Sequence, residues 1–365
     1  MLKHWLIAFL SSAPIVGHAM DAAQLVKRLK VPGGFEVNLY TDEAPAARGL
    51  ALSPHGTVFC GSWAPGAVYA FRDENGDGVA EKSWTVARGL DTPIGVAFKD
   101  GTLYASSVDR VVMLKGIEGH LDHPPSPETY AQLWPSESHH GGRYIAFGPD
   151  GKLYVPVGSP CNVCLMPDRG LITRVENGKA VTVARGIRNT VGFDWNPKDG
   201  KLWFTDNGRD LMGDNIPPDE LNCLRVEGLH FGFPFIHGKS VIDPEFGAKA
   251  GSQKFEPPAW EFGAHNASLG MRFYRGKAFP APYRDSIYVA LHGSWNRSKK
   301  DGYQVLRLAL KDGKVSSAEP FLTGFLDGQT TLGRPVDIQE LADGSLLVSD
   351  DYAGAIYRIR YRGKP

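Results

Sequence analysis

Apolar and polar positions along the chain recur as one unit: a short apolar segment, a turn that usually contains Asp-Gly, and a second apolar run of the Leu-Tyr-Val type. The unit returns six times: Gly49–Phe59, Gly95–Tyr104, Tyr144–Val155, Gly192–Phe204, Gly270–Tyr274 extended to Arg284–Val289, and Val336–Val348. Apolar, β-branched and aromatic residues flanking a Gly-Pro-Asp-Gly type of turn read as a hairpin, and a further strand follows, as in Gly66–Arg72 and Gly354–Arg360. Strand-and-turn repeats at a spacing of about 50 residues, lengthened before the fifth copy, are the pattern of propeller blades with four strands each. The predicted fold is therefore all-β, a six-bladed β-propeller with four-stranded antiparallel blades. Two packed β-sandwiches would not repeat so regularly. Helical periodicity is confined to Asp21–Leu29, which predicts one short helix packed on the outside.

In such a blade the first strand begins, and the second ends, on the same face of the disc, because consecutive antiparallel strands run in opposite directions. Entry segments at Arg48, Thr92-Pro93, His139–Arg143, Arg188-Asn189, His265-Asn266 and Arg334 thus share a face with exit segments. The exits are Trp63, Ser107–Asp109, Cys161–Cys164, Asp206–Arg209, His292–Arg297 and Asp350–Tyr352. The other face carries mainly Pro-Asp-Gly turns. Polar and aromatic side chains are expected around the mouth of the central channel on the first face.

The chain has 365 residues, 42% apolar and 22% charged, with a formal charge of zero. Its size admits one large propeller domain over residues 20–365, and the absence of any Lys/Arg run argues against nucleic acid or a polybasic membrane patch. Lys3-His4, the apolar run Trp5–Leu10 and the small residues Gly17-His18-Ala19 read as a signal peptide over residues 1–19, cleaved after Ala19. Ser11, Ser12, Pro14 and His18 make that run too polar for a membrane span. A periplasmic or secreted location follows. Export places Cys60, Cys161, Cys164 and Cys223 in an oxidising compartment. Cys161 and Cys164 could form a redox dithiol, half of a zinc site or a local disulfide; the local disulfide is the expectation, and zinc would require Cys60 and Cys223 to converge on the pair.

The mouth segments contain the candidate chemistry. His139 and His140 could serve as a base or simply hydrogen-bond a neighbouring loop, and Arg188, Arg209 and Arg334 could be structural or could hold an anionic, carboxylate-rich ligand through bidentate contacts. No Gly-x-Ser-x-Gly elbow and no P-loop occurs, which leaves serine hydrolysis and nucleotide-driven chemistry without support. Asp73, Asn75 and Asp77, in Asp-Glu-Asn-Gly-Asp-Gly, match the first half of a calcium loop, although residue 84 is tryptophan where an EF-hand would close with glutamate.

His139-His-Gly-Gly-Arg143, Gly186-Ile-Arg-Asn189, Asp206-Asn-Gly208 leading to Asp219-Glu-Leu-Asn222, Gly270-Met-Arg-Phe-Tyr274, His292–Ser298, and Gly333–Asp337 with Ser349–Gly354 occur in order along nearly the whole mature chain. Together they resemble the soluble pyrroloquinoline quinone (PQQ) sugar dehydrogenases, most closely the L-sorbosone and aldose sugar dehydrogenase branch. The resemblance implies PQQ and calcium as cofactors, a sugar or sugar-aldehyde substrate, and hydride transfer to the quinone, with a separate quinone or cytochrome as electron acceptor. It makes His139 the general base, since the family's histidine stands four residues before the arginine matching Arg143. Arg188 and Asn189 match the quinone-contacting pair, with Arg188 also polarising the reacting carbonyl. Gly208 and Arg209 match the pair whose backbone carbonyls hold calcium, and Asp219 and Glu220 match acidic residues near the site, with Glu220 a candidate ligand for a second calcium. Two positions depart from the pattern. Arg334 is present but Val336 replaces a second arginine, and the family's cofactor-binding lysine has no lysine counterpart at Leu291-His292-Gly293, so His292, Asn296 or Arg297 takes its place. The rival readings are a calcium-dependent lactonase or esterase, which would gather carboxylates and asparagines on a central calcium, and a non-catalytic binding propeller.

Overall fold

Each repeat folds as its turn chemistry dictates. In the third, the Gly148 N–H donates to the Lys152 carbonyl at 2.9 Å and the Gly151 N–H to the Gly148 carbonyl at 2.8 Å, while Gly151 takes the left-handed φ of 72° that favours glycine. The turn sets Ala146 opposite Tyr154 in the hairpin. The computed structural model describes residues 20–363, and within them six four-stranded antiparallel sheets succeed one another, as expected. Blade one begins at Ala47–Leu52, blade two at Val96–Lys99, blade three at Ala146–Phe147, blade four at Phe193–Trp195, blade five at Ser268–Phe273 and blade six at Pro335–Glu340. The second strands Val58–Ser62, Leu153–Val157, Leu202–Asp206, Ser286–Leu291 and Leu346–Asp350 are buried at every position. They read as continuous apolar runs because each blade is covered on both faces by its neighbours.

The core reflects that arrangement, with one apolar cluster at each of the interfaces between successive blades. One example packs Phe59, Val68 and Ala70 of blade one against Val96, Leu103 and Val112 of blade two; another packs Phe193, Leu202 and Phe204 of blade four against Tyr154, Ile172 and Val183 of blade three. A separate cluster of Ile94, Val191, Leu269 and Val336 comes from four different blades and lies at the centre of the ring.

Two features were not anticipated. Blade six takes its outer strand, Phe35–Thr41, from the N-terminal end of the described chain, paired with Ala355–Tyr361 in the register Phe35 to Tyr361. Blade four receives its outer strand, Trp260–Ala264, only after an insertion that holds a two-stranded ribbon, Ile236–His237 with Val241–Ile242, and a short 3-10 turn. That insertion lengthens the repeat before blade five. The helix is shorter than expected, Ala22–Leu25, capped by the Asp21 carboxylate, which accepts the Ala23 N–H at 2.8 Å. Nor does it simply lie outside: Leu25 and Leu29 are buried among Phe279, Phe321 and Phe325. The segment read as a signal peptide, residues 1–19, lies outside the described residues. Among the described residues no helix is long and apolar enough to cross a membrane.

Candidate functional site at the propeller mouth

The expected face carries a cavity of about 270 Å³; the entry segments of five blades line it, and the second blade reaches it through Ile94, next to Thr92-Pro93. Ile94, Val191 and Leu269 form an apolar floor, and Val336 belongs to the same cluster. The valine that replaces a second arginine is thus part of the channel plug. Two buried carboxylates tie entry segments to exits. Asp206 accepts the N–H groups of Arg188 at 2.8 Å and Asn189 at 2.6 Å, and Asp350 accepts the Arg334 N–H at 2.9 Å. Burial raises both carboxyls, Asp206 to about 7 and Asp350 to about 6, against the pull of those N–H groups.

The histidine pair divides between solvent and cavity. His139 is exposed and is not part of the cavity wall, whereas His140 is half-buried and lines it; the rings lie 4.1 Å apart. His140 Nδ1 lies 2.7 Å from the Ser159 carbonyl, and its backbone adopts a left-handed φ of 50°, a strained conformation held by its surroundings. Gly158 permits the approach, since a Cβ there would sit 2.6 Å from that of His140. Burial first, then Arg188 and His139, pull the His140 imidazole down to about 3. Arg143 is structural: it is buried and donates to the carbonyls of Val108 at 3.0 Å and Pro135 at 3.1 Å, fastening the loops beneath the pair.

Arg188 lines the cavity with every N–H engaged. Nε donates to the Asn162 carbonyl at 2.8 Å, Nη1 to the carbonyls of Asn207 at 3.4 Å and Gly208 at 2.7 Å, and Nη2 to Asn162 Oδ1 at 2.9 Å and Asp210 Oδ2 at 2.6 Å. Asn189 lines the cavity beside it. The Gly208 carbonyl, expected to face a calcium ion, is therefore met by Arg188. The Arg209 side chain turns away to Asp243 and Glu245. Glu220 does not reach the mouth. It lines a separate small cavity behind Arg188 and accepts from the Gly238 N–H at 2.6 Å and the Asn222 amide at 2.9 Å; burial, then Asp206, raise it to about 8.

Across the mouth, Arg334 donates Nη2 to the Gly293 carbonyl at 2.9 Å and Nε to the His292 carbonyl at 3.3 Å, while Nη1 makes no hydrogen bond among the described residues. Of the three residues expected to replace the lysine, only His292 lines the cavity. Its Nε2 lies 2.9 Å from Asp351 Oδ1, and Arg48 Nη1 donates to Asp351 Oδ2 at 2.8 Å. Burial alone would raise the Asp351 carboxyl, but His292 and Arg48 hold it well below the usual range. Asn296 reaches the site only through Asp210, at 3.3 Å, and Arg297 is spent on the loop carbonyls of Asp214 and Ala264. The sequence reading assigned no role to Arg48 and Asp351, or to the exposed Trp63 and Trp295 on the rim. The signal available was that all four stand in the entry and exit segments.

Among the described residues, three buried polar atoms of the cavity residues have no partner: Arg48 Nε, Asn207 Oδ1 and His265 Nδ1. Such atoms are costly unless a ligand or water meets them. The orphaned N–H of Arg48 and the free Nη1 of Arg334 over an apolar floor fit the carboxylates of a flat polyanion, and the two orphaned acceptors can meet only an N–H edge or water, so the residues fit PQQ.

The cysteines behave as expected: Cys161 and Cys164 are bonded to each other, and Cys60 and Cys223 are buried in different clusters, so no zinc set forms. In the outer hairpin of blade one, ligand atoms of Asp73 and Asp77 lie within 4.8 Å of each other and of Glu81, an acid the sequence reading did not include. Asn75 there accepts the Asp77 N–H at 2.8 Å.

A family profile described as Glucose / Sorbosone dehydrogenase matches residues 166–358. A protein of Borreliella burgdorferi described as uncharacterized is 38% identical over 361 residues, covering 93% of each chain. The PQQ-dependent pyranose dehydrogenase of Coprinopsis cinerea is 32% identical over 123 residues, 28% of this chain and 16% of its own. The holo form of that enzyme's PQQ domain superposes with a TM-score of 0.75 at 19% identity, covering 91% of this chain and 97% of the other. A calcium structure of a Trichoderma reesei enzyme of carbohydrate-active family AA12 gives 0.77 at 20% identity, with the same coverage. The solved structures share the propeller fold, and the chain belongs to the glucose/sorbosone dehydrogenase family.

Proposed function

We propose that the protein oxidises an aldose or sugar aldehyde using PQQ, with His140 as the base. The observation that carries this reading is the convergence of Arg48, Arg188, Arg334 and His140 on one cavity with an apolar floor. Arg48 and Arg334 would hold the carboxylates through their uncommitted N–H groups, and Asn189 and Arg188 would face the quinone edge. When bound, PQQ supplies the two-electron acceptor for hydride from the substrate's carbinol carbon. With Nδ1–H donated to the Ser159 carbonyl, His140 presents the lone pair of Nε2, and its low pKa keeps the ring neutral at physiological pH. Trp63 and Trp295 offer exposed aromatic faces on which a sugar ring can stack. Calcium is proposed as the second cofactor, at the Gly208 and Arg209 carbonyls once Arg188 yields the first, with Glu220 behind them and the Asp73, Asn75, Asp77 loop as a separate structural site. An electron acceptor from outside, one quinone or two equivalents of a one-electron cytochrome, completes the cycle, and export to the periplasm or medium suits both.

The test is reconstitution of the apoprotein with PQQ and calcium, a dye acceptor and a panel of aldoses and sugar aldehydes. PQQ-dependent dye reduction with at least one of them is expected; none with any of them overturns the assignment.

A further inference from the structure

We propose that the disulfide-closed segment Ser159–Cys164 is the element that orients His140 and Arg188 at the mouth, with Asn162 as the positioning residue for the arginine. The segment forms no part of the cavity wall, yet it grips both side chains that do. Ser159 is buried; its N–H donates to the Arg188 carbonyl at 2.8 Å, its carbonyl lies 2.7 Å from His140 Nδ1, and its Oγ lies 3.4 and 3.3 Å from the two sulfurs. Asn162, inside the disulfide ring, uses both of its ends. Its carbonyl and Oδ1 accept Nε–H and Nη2–H of Arg188, Oδ1 also accepts the Asp210 N–H at 2.9 Å, and its amide donates to the Asp210 carbonyl at 3.0 Å. Asp210 in turn accepts a third Arg188 N–H. Three of the five guanidinium donors therefore depend on one asparagine.

Ordinary secondary structure does not hold that asparagine in place. Among the described residues no backbone N–H from Cys161 to Leu165 makes a hydrogen bond, so the covalent bond between Cys161 and Cys164 closes the loop. A ring this short restrains the unfolded chain less than a long loop does. Its main consequence is local: it fixes Asn162, and through Asn162 and Ser159 the two site residues.

The consequence for cofactor binding rests on the quinoprotein reading, whereas the positional claim does not, and two measurements separate them. The first uses apoprotein labelled with ¹⁵N-arginine, in which the Arg188 Nε–H is identified by its loss in Arg188→Lys and followed by hydrogen exchange. Relative to wild type, Cys161→Ser/Cys164→Ser should exchange about tenfold faster or more, as expected for the loss of a charge-assisted bond; Asn162→Ala keeps the main-chain carbonyl that accepts Nε–H but loses the Oδ1 bonds to Nη2 and to the Asp210 N–H, so its exchange should rise by a smaller factor. Asn162→Asp keeps the acceptor oxygen and should recover most of the protection, and Leu165→Ala, just outside the ring, should match wild type. The second titrates PQQ against tryptophan fluorescence in the presence of calcium, where the dissociation constant should rise in the same order of variants. Unchanged Arg188 exchange in the double serine variant overturns the positioning claim; if that variant does not fold, unchanged exchange in Asn162→Ala overturns it instead. Accelerated exchange in a protein whose wild type binds no PQQ upholds the positioning and overturns the quinoprotein reading.

Discussion

At the scale of single residues, the sequence carried the histidine pair but not which ring faces the site. Spacing from Arg143 favours His139, yet adjacent side chains project in different directions, and the direction here is decided by the left-handed backbone of His140 and by the Ser159 carbonyl, nineteen positions on. His140→Ala is expected to lower kcat by about 10² to 10⁴, the usual worth of a positioned base, and His139→Ala to do much less; the reverse order in dye-linked assays would return the role to His139. The pH profile is a second check. An imidazole depressed to about 3 loses no lone pair as the pH falls from 7 to 5, so kcat/KM should show no acid limb near the ordinary histidine value. The same shift has a cost in stability: the unfolded histidine binds a proton near pH 6.5 and the folded one does not, so the contribution of His140 to stability is present above that pH and is lost as the pH falls toward 3. On the other side of the mouth, Arg334→Gln removes an uncommitted cation. Losing a charge-assisted bond of about 1.5 to 3 kcal/mol should weaken PQQ binding by about one to two powers of ten. Lysine should rescue it only in part, because it lacks the planar fork. Identical PQQ titration curves for wild type and Arg334→Gln would remove the arginine from the site.

At the scale of elements, the hairpins were legible because their cause is local. Gly-Pro-Asp-Gly and Lys-Asp-Gly-Lys set the turns, and the apolar runs on either side had only to pair with each other. The Cys161–Cys164 loop was legible for the same reason, as two cysteines three positions apart. Its contacts were not, because Arg188 lies 26 positions from Asn162 and Asp210 a further 22. Thiol titration of the unfolded, unreduced protein should therefore find two thiols, those of Cys60 and Cys223; four would mean that the loop is open. The double serine variant should fold and lose about 1 to 2 kcal/mol, since so short a ring restrains the unfolded chain only modestly. A loss well above that in urea unfolding would show that the ring supports more than its own neighbourhood.

At the scale of the whole molecule, the least legible feature is the closure of the ring. The six copies predicted six blades, but Phe35–Thr41 precedes the first copy and lacks its turn, and its partner strand lies at the other end of the described chain. Nothing local pairs positions 35 and 361. Two interactions could hold that strand, and their magnitudes differ. Glu36 meets Arg360 and Arg362 in ion pairs, but its side chain is 37% exposed, and such pairs contribute about 0.2 to 1 kcal/mol. Phe35 is buried, with ring centroids 4.8 Å from Phe279, 5.3 Å from Phe321 and 5.1 Å from Tyr361; removing such a side chain costs about 3 to 5 kcal/mol. The closure is therefore expected to be apolar. Glu36→Ala should shift the urea midpoint slightly, and less in high salt, whereas Phe35→Ala should lower it strongly at any ionic strength. Because this strand is the outermost of its blade while the mouth is built at the start of the innermost, any Phe35→Ala protein that remains folded should titrate PQQ like wild type. Equal losses from the two substitutions would mean that charge, rather than packing, closes the propeller.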